Sequence, residues 1–457
     1  MDIHPLYEVL LQAVRTDAEQ MGEEGHDVAA LQREIDATAH GGSLDALAEL
    51  QRDFWHRPSP GDSPYDEPEN WAAISATFPE PESHARFRGS EDALADRLLG
   101  AWQGRCAGCQ LGKPYESAWP DLVQRVAKAA GSWPISDYVA PLSAAELAAI
   151  EDDEARQWLT GRQWLARGNF DRVAPDDDIH YAIVALSVLR QRGAEFTADD
   201  VADELLERCL RSDLYASGLN MFRVRLLGLP AAVSARFGNP CRQSLGAMIR
   251  CDAYGWTAPA RPALAARMAW QDAVGSQTRN GIYAGMFFAA LMADVLAHGD
   301  VVRAIETASG YVPPRSRFAE MVAFIGDVCD GTGNWQEARE AIYQRYDRDL
   351  TRSESVRFNH CLPNAAIVLL ALRAGGGDFT RTLGVAVMAG MDTDCNAATA
   401  GSIMGCALGA GGIADHWITP LHDTVETRLR DYYQVRITEL ARQTLEIARR
   451  NVRHADE

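Results

Sequence analysis

Leu99–Glu116 reads LGAWQGRCAGCQLGKPYE, and Gly390–Gly409 reads GMDTDCNAATAGSIMGCALG. In the first stretch Gly100, Gly104, Gly108 and Gly112 recur every four residues. On a helix they form one stripe without side chains. Each glycine costs a helix about 1 kcal/mol relative to alanine. Close approach of another helix or of a ligand is the compensation such a stripe predicts. The second stretch repeats the device with Ala397, Gly401, Gly405 and Gly409. Pro114 ends the first helix just before Glu116, and Asp392 and Asp394 open the second. Taken alone, the first stretch reads as a tightly packed core helix followed by a solvated glutamate.

Outward from these stretches, helical period dominates from Ser90 to the end, and alternating β-patterns are nearly absent. The segments 143–166, 179–192, 198–210, 262–272, 282–298, 316–329, 335–345, 363–374, 380–389, 396–409 and 421–450 all suit helices. Residues 1–52 read as two helices parted near His40-Gly41-Gly42, and 56–84, rich in Pro, Ser, Asp and Glu, as an irregular connection. The expected organisation is an N-terminal helical extension with its Pro-rich connection, 1–89, before an all-α domain, 90–457.

A third stretch, Ala174–Leu189, reads APDDDIHYAIVALSVL. Ile179, Ala182, Ile183, Leu186 and Leu189 make an apolar helical face, which puts Asp176, Asp177 and Asp178 at a helix N-terminus. A cap uses one aspartate and the helix dipole tolerates a second. Three adjacent carboxylates repel, and their pKa values rise unless a cation neutralises them. Each stretch has an ordinary explanation. Together they place carboxylates at the ends of smooth helices able to pack closely, and a buried cluster of that charge calls for cations. Oxygen donors suit Mg²⁺, Mn²⁺ or Ca²⁺ and not Zn²⁺, whose His/Cys spacings are missing.

Composition limits the alternatives. The 457 residues are 47% hydrophobic and 24% charged, ordinary for a globular protein, with a formal net charge of −20. Such a chain is repelled by phosphate backbones and anionic lipids, so neither nucleic acid nor a membrane is expected as a partner. The N-terminus, MDIHPLYEVLLQ, has no basic region followed by a long apolar run, and Cys395–Ala414, though uncharged, carries glycines, Asn396, Thr399 and Ser402 and reads as a buried helix. Nine scattered cysteines fit free thiols in a reducing, cytoplasmic setting. The pair Cys106 and Cys109 formally matches a redox motif but lies in a helical stretch without a βαβ context.

The three stretches, in this order, resemble the ADP-ribosylglycohydrolase superfamily, which includes dinitrogenase-reductase-activating glycohydrolases. The pattern is GxxxGxxxGxxxGxPxE (Gly100 to Glu116), an acidic pair opening a helix (Asp177-Asp178), and Asp392-Thr393-Asp394 before a small-residue helix. Gly238-Asn239-Pro240, Ile249-Arg250-Cys251-Asp252, Asn280-Gly281-Ile282-Tyr283, and His360 with Asn364 look like one bacterial branch. The resemblance covers about 90–430. It implies a compact orthogonal multi-helix bundle with a two-Mg²⁺ site that cleaves a ribosyl C1″ bond in ADP-ribosylated substrates. By position, Asp176, Asp177, Asp178, Asp392 and Asp394 would hold metal, with Cys395 where members carry a Thr or Ser ligand. Glu116 would be the mobile carboxylate at the scissile bond, with Asp177 as the alternative catalytic acid or base. Asn280, Gly281 and Tyr283 are candidates for adenine or phosphate, Gly390 for pyrophosphate through backbone N–H groups, and His360 for substrate. His180 reads as a core or supporting residue.

Departures from the pattern are Cys395, Asp176 in place of a common Thr, Cys109 in place of a common Asp, and Ile179 in place of a Thr. Two alternatives stand beside protein de-ADP-ribosylation. One is hydrolysis of a nucleoside- or NAD-derived metabolite, with 117–175 capping the site. The other is a non-catalytic member that binds ADP-ribose.

Overall fold

A computed structural model of the chain describes residues 4–58, 60–61, 63–79, 87–349 and 358–453. Part of the expected 56–84 connection, at 59, 62 and 80–84, lies outside the described residues. The architecture is the expected all-α bundle. Its core seam is the pairing of helix Glu91–Gly112 with helix Thr393–Leu408.

The glycine stripes meet face to face. A Cβ added at Gly104 would fall under 3.0 Å from the backbone of Gly401, one at Gly108 from Ala397, and one at Gly112 from Thr393 and Asp394. Gly100 faces Gly405 and Gly409 in the same way. Residue numbers rise along one helix as they fall along the other, so the helices run antiparallel. The C-terminal end of the first therefore delivers Lys113 and Glu116 to the N-terminal end of the second. Ser90 caps the first helix by accepting from the Ala93 N–H, and Glu91 and Asp92 complement its dipole.

Behind the seam lies helix Asn280–His298, apolar on every side. It is long and apolar enough to cross a membrane, but 89% of its most apolar window is buried inside the protein. It packs on Pro262–Ala273, Cys361–Gly375 and the second glycine helix, which makes it a core element.

Three sequence expectations change. Residues 1–52 were expected as two helices and form three, His4–Glu23, Val28–His40 and Leu44–His56. Gly25, at φ +97°, and the Asp27 cap break the first run. These helices share a small core of their own around Val14, Met21, Ile35, Leu47 and Phe54. Segment 143–166 divides into Ala144–Ala148 and Asp153–Arg162, because Asp152 caps a new helix by accepting from Ala155 N–H. Segment 421–450 opens as a hairpin, not a helix. Thr424–Glu426 pairs antiparallel with Gln434–Arg436, and helix Ile437–Arg453 follows.

That hairpin positions the acidic stretch. Val173 N–H donates to Thr424 O (2.9 Å) and Glu426 N–H to Val173 O (3.0 Å), which holds the chain extended as it enters Asp176–Asp178. From the other side Ala174 N–H donates to Gln110 Oε1 (3.0 Å) on the first glycine helix.

Candidate active site

Asp176 is the N-cap of helix Asp177–Arg192, and its Oδ1 accepts from Asp178 N–H at 3.0 Å. This is the one aspartate that capping uses. Asp392 occupies the corresponding position before Thr393–Leu408 but makes no side-chain cap, so its carboxylate is left for other work. The Gly390-Met391 turn that presents it takes left-handed backbone at both residues, φ +80° and +62°. Asn364 braces the turn, accepting from Asp392 N–H (3.4 Å) and from Asn396 Nδ2 (2.9 Å).

The two clusters converge. A cavity of about 900 Å³ is lined by Asp176, Asp177, Asp392, Asp394, Cys395, Lys113 and Glu116, among others. Asp178 lies just behind this wall, fully buried. Its Oδ1 accepts from Arg105 Nη2 (3.1 Å), and its carbonyl accepts from Arg105 Nε (2.8 Å). Arg105 also donates to Asp252 (2.9 Å), so part of the Ile249–Asp252 motif serves as a brace beneath the acids. Lys113, which sequence reasoning did not single out, stands among the carboxylates. It pairs with Asp176 and lies 3.6 Å from Glu116 and 3.8 Å from Asp394.

Electrostatics divide the acids. Burial would raise Asp176, but the Lys113 ammonium outweighs it and holds this carboxyl below the usual range. Asp177 and Asp394 are pushed well up, first by burial and then by neighbouring carboxylates. Burial also raises Asp178 despite Arg105, and pushes Asp392 to about 6. His180, packed in the wall with Nε2 accepting from Arg428 N–H (3.2 Å), is lowered to about 4 by burial. It is a neutral supporting residue.

A divalent cation fits this donor set. Asp178 Oδ2 and Asp394 Oδ1 are buried with no hydrogen-bond partner, although native interiors rarely leave such atoms unsatisfied. Glu116 stands apart from them: 44% exposed, it projects from the loop after Pro114 into the cavity. The rim carries Trp164, Tyr215 and Arg428. None of the three was read from the sequence, because loops and the hairpin bring them there rather than any local motif.

Five other candidates do not line the cavity. Asn280 Nδ2 donates to Glu67 (2.9 Å) and Gln243 (2.8 Å) while its Oδ1 accepts from Phe318 N–H (2.9 Å). Gly281 packs against Gln277 and Arg242. The Tyr283 hydroxyl donates to Pro68 O. Asn280 and Tyr283 therefore support the connection after the N-terminal helices, outside the cavity. His360 caps helix Cys361–Gly375 through Nδ1 and meets Glu23 through Nε2 (3.0 Å), again toward the extension. Gly390 spends its N–H on Val387 O (3.0 Å), so it does not offer that donor to pyrophosphate.

The family model described as ADP-ribosylglycohydrolase matches residues 90–453. The chain belongs to the ADP-ribosylglycohydrolase family. Family membership places it among glycohydrolases acting on ADP-ribose linkages. A solved structure described as an "ADP-ribosylglycohydrolase-related protein complex" superposes with a TM-score of 0.46 at 19% identity, covering 79% of this chain and 99% of that one. None of the curated proteins compared matches this chain. Within an ADP-ribosylglycohydrolase, the glycine seam, the acidic triplet and Asp392-Thr393-Asp394 are the elements that build this cavity.

Proposed function

We propose that this chain hydrolyses a ribosyl C1″ bond in an ADP-ribosylated protein or small molecule, with a divalent ion at the convergence of Asp176–Asp178 with Asp392 and Asp394. The observation that carries the reading is the pair of unpartnered buried oxygens, Asp178 Oδ2 and Asp394 Oδ1, beside the half-exposed Glu116.

In this reading Asp178, Asp394, Asp392 and Asp177 hold the ion. The ion supplies charge that fixes the ribose diol and polarises water. Glu116 moves the proton: its carboxylate takes one from the attacking water or gives one to the leaving atom as the C1″ bond breaks. Asp177 is the alternative proton carrier. Lys113 holds Asp176 and balances part of the charge on Glu116 and Asp394. Arg428, exposed at the rim and paired with Asp213 at 2.9 Å, is the second cation on the cavity wall and suits a phosphate.

A small-molecule substrate is the narrower reading. It is favoured by Ser117, Trp119 and Trp164, with which segment 117–175 walls one side of the cavity.

Glu116→Gln should lower turnover of an ADP-ribosyl substrate by roughly 10²- to 10⁴-fold while metal-induced thermal stabilisation persists. Joint replacement of Asp392 and Asp394 by Asn should abolish both. Retention of metal response and hydrolysis in the double variant would sink the proposal. Turnover of free ADP-ribosyl metabolites against modified protein separates the two substrate readings.

A further inference from the structure

We infer that the ion of this centre is ligated by sulfur, through Cys395 Sγ, and that the chain therefore selects a borderline divalent ion of the Zn²⁺, Fe²⁺ or Co²⁺ class over Mg²⁺. The inference rests on the reading of the acidic convergence as a metal centre.

Among the described residues, two groups of three ligand-bearing side chains have their donor atoms within 4.8 Å of one another: Cys109, Asp176 and Asp178, and Asp178, Asp394 and Cys395. Each group contains one thiol, and every member is buried. The first group is largely spent, because Asp176 gives one oxygen to Asp178 N–H and the other to Lys113. In the second group both carboxylates keep an oxygen with no hydrogen-bond partner, and Cys395 lines the cavity beside them. A buried cysteine is ordinarily a small apolar residue. A thiol on the cavity wall within 4.8 Å of a carboxylate oxygen of Asp178 and of Asp394 is placed as a third donor.

Donor chemistry then decides the ion. Mg²⁺ and Ca²⁺ take oxygen and are poorly served by sulfur, whereas Zn²⁺ and its neighbours take thiolate and carboxylate together. As the metal–sulfur bond forms, sulfur donates its electron pair and the thiol proton leaves to solvent. The zinc spacing rules do not register the set because its members come from two helices far apart in sequence.

The test loads the metal-stripped full chain with Co²⁺ and follows both calorimetry and near-ultraviolet absorption. The expected result is a thiolate-to-Co²⁺ charge-transfer band that Zn²⁺ removes by displacement and excess Mg²⁺ does not. Cys395→Ser, nearly isosteric, should lose the band and the preference over Mg²⁺; Cys109→Ser should keep both. The affinity of the Cys395→Ser chain for Zn²⁺ should fall by about tenfold or more, the least that disturbing even a ligand's supporting contacts costs. Co²⁺ binding without the band, or ready displacement by Mg²⁺, overturns thiolate ligation and leaves the metal centre standing. If neither Co²⁺ nor Mg²⁺ binds, the metal-centre reading falls with it.

Discussion

Asp17, Glu24 and Glu67 beneath the N-terminal helices and Asp178, Asp392 and Asp394 at the glycine seam all have buried carboxylates, and the protein provides for them in different ways. Under the helices, arginine answers each acid. Arg242 donates to Asp17 (3.0 Å) and Glu24 (2.8 Å), and Arg317 forks onto Glu67. Burial raises Glu24, yet Arg242 and then Arg279 bring it down to about 2. At the seam six carboxylates share Lys113 and Arg105, and Asp177, Asp178 and Asp394 remain well above their usual range. Matched charges hold elements together. Unmatched ones, kept at the edge of a cavity, are a provision for a ligand that brings positive charge.

The sharpest way to break this contrast is Arg242→Met. It leaves Asp17 buried without its cation and Glu24 with only Arg279, at 3.8 Å, and should cost about 3–5 kcal/mol, read from chemical denaturation, with the N-terminal helices becoming protease-sensitive. Unchanged stability would mean that the matched network is ornamental.

The pH dependence sharpens the contrast at two groups, Asp392 and Glu24, which should contribute opposite slopes, while burial keeps Asp17 raised despite Arg242. The folded-state pKa of Asp392 is raised to about 6, so the metal-free folded chain holds that proton more tightly than the unfolded chain. Stability should therefore fall as pH rises from about 4 to about 6, Asp392 contributing roughly 2–3 kcal/mol, and Asp392→Asn should lessen that slope, to which Asp177, Asp178 and Asp394 also contribute. Glu24 is depressed to about 2, so its contribution is complete above its unfolded pKa and is lost as pH falls toward 2. Glu24→Gln should remove only this acid-side loss. Equal slopes in wild type and Asp392→Asn between pH 4 and 6 would contradict the unmatched-cluster account.

A smaller pair of effects probes the seam that brings the unmatched acids together. Gly108→Ala would put a methyl against the Ala397 backbone, and overpacking of that kind costs about 1–3 kcal/mol. Gly326, inside helix Arg317–Thr332, has open space where its Cβ would go. Gly326→Ala should stabilise by about 0.5–1 kcal/mol. Thermal melts of the two variants should move in opposite directions; parallel shifts would remove the seam's special standing.

How much was legible in the sequence follows from how local each signal is. The glycine stripes could be read because period-four small residues admit few explanations, and the aspartates at the helix mouths followed from them. The Thr424–Arg436 hairpin could not, because its strands are three residues each and the partner that gives it purpose, Val173, is remote in the chain. The candidates Asn280, Tyr283 and His360 lie away from the cavity for a related reason. Their polar groups are used by Glu67, Pro68 and Glu23, which belong to the N-terminal part of the chain and which no motif in 90–453 foretells. Lys113 sat inside the first motif, but its role depends on Asp176 and Asp394, which only the fold brings to it.

The most direct test of the central claim is a calorimetric titration of the metal-stripped protein with Mn²⁺ at neutral pH, beside a variant carrying Asp178→Asn and Asp394→Asn. The account predicts saturable binding in the wild type and its loss in the variant, with helical content retained by circular dichroism. The same binding isotherm in both proteins would contradict it.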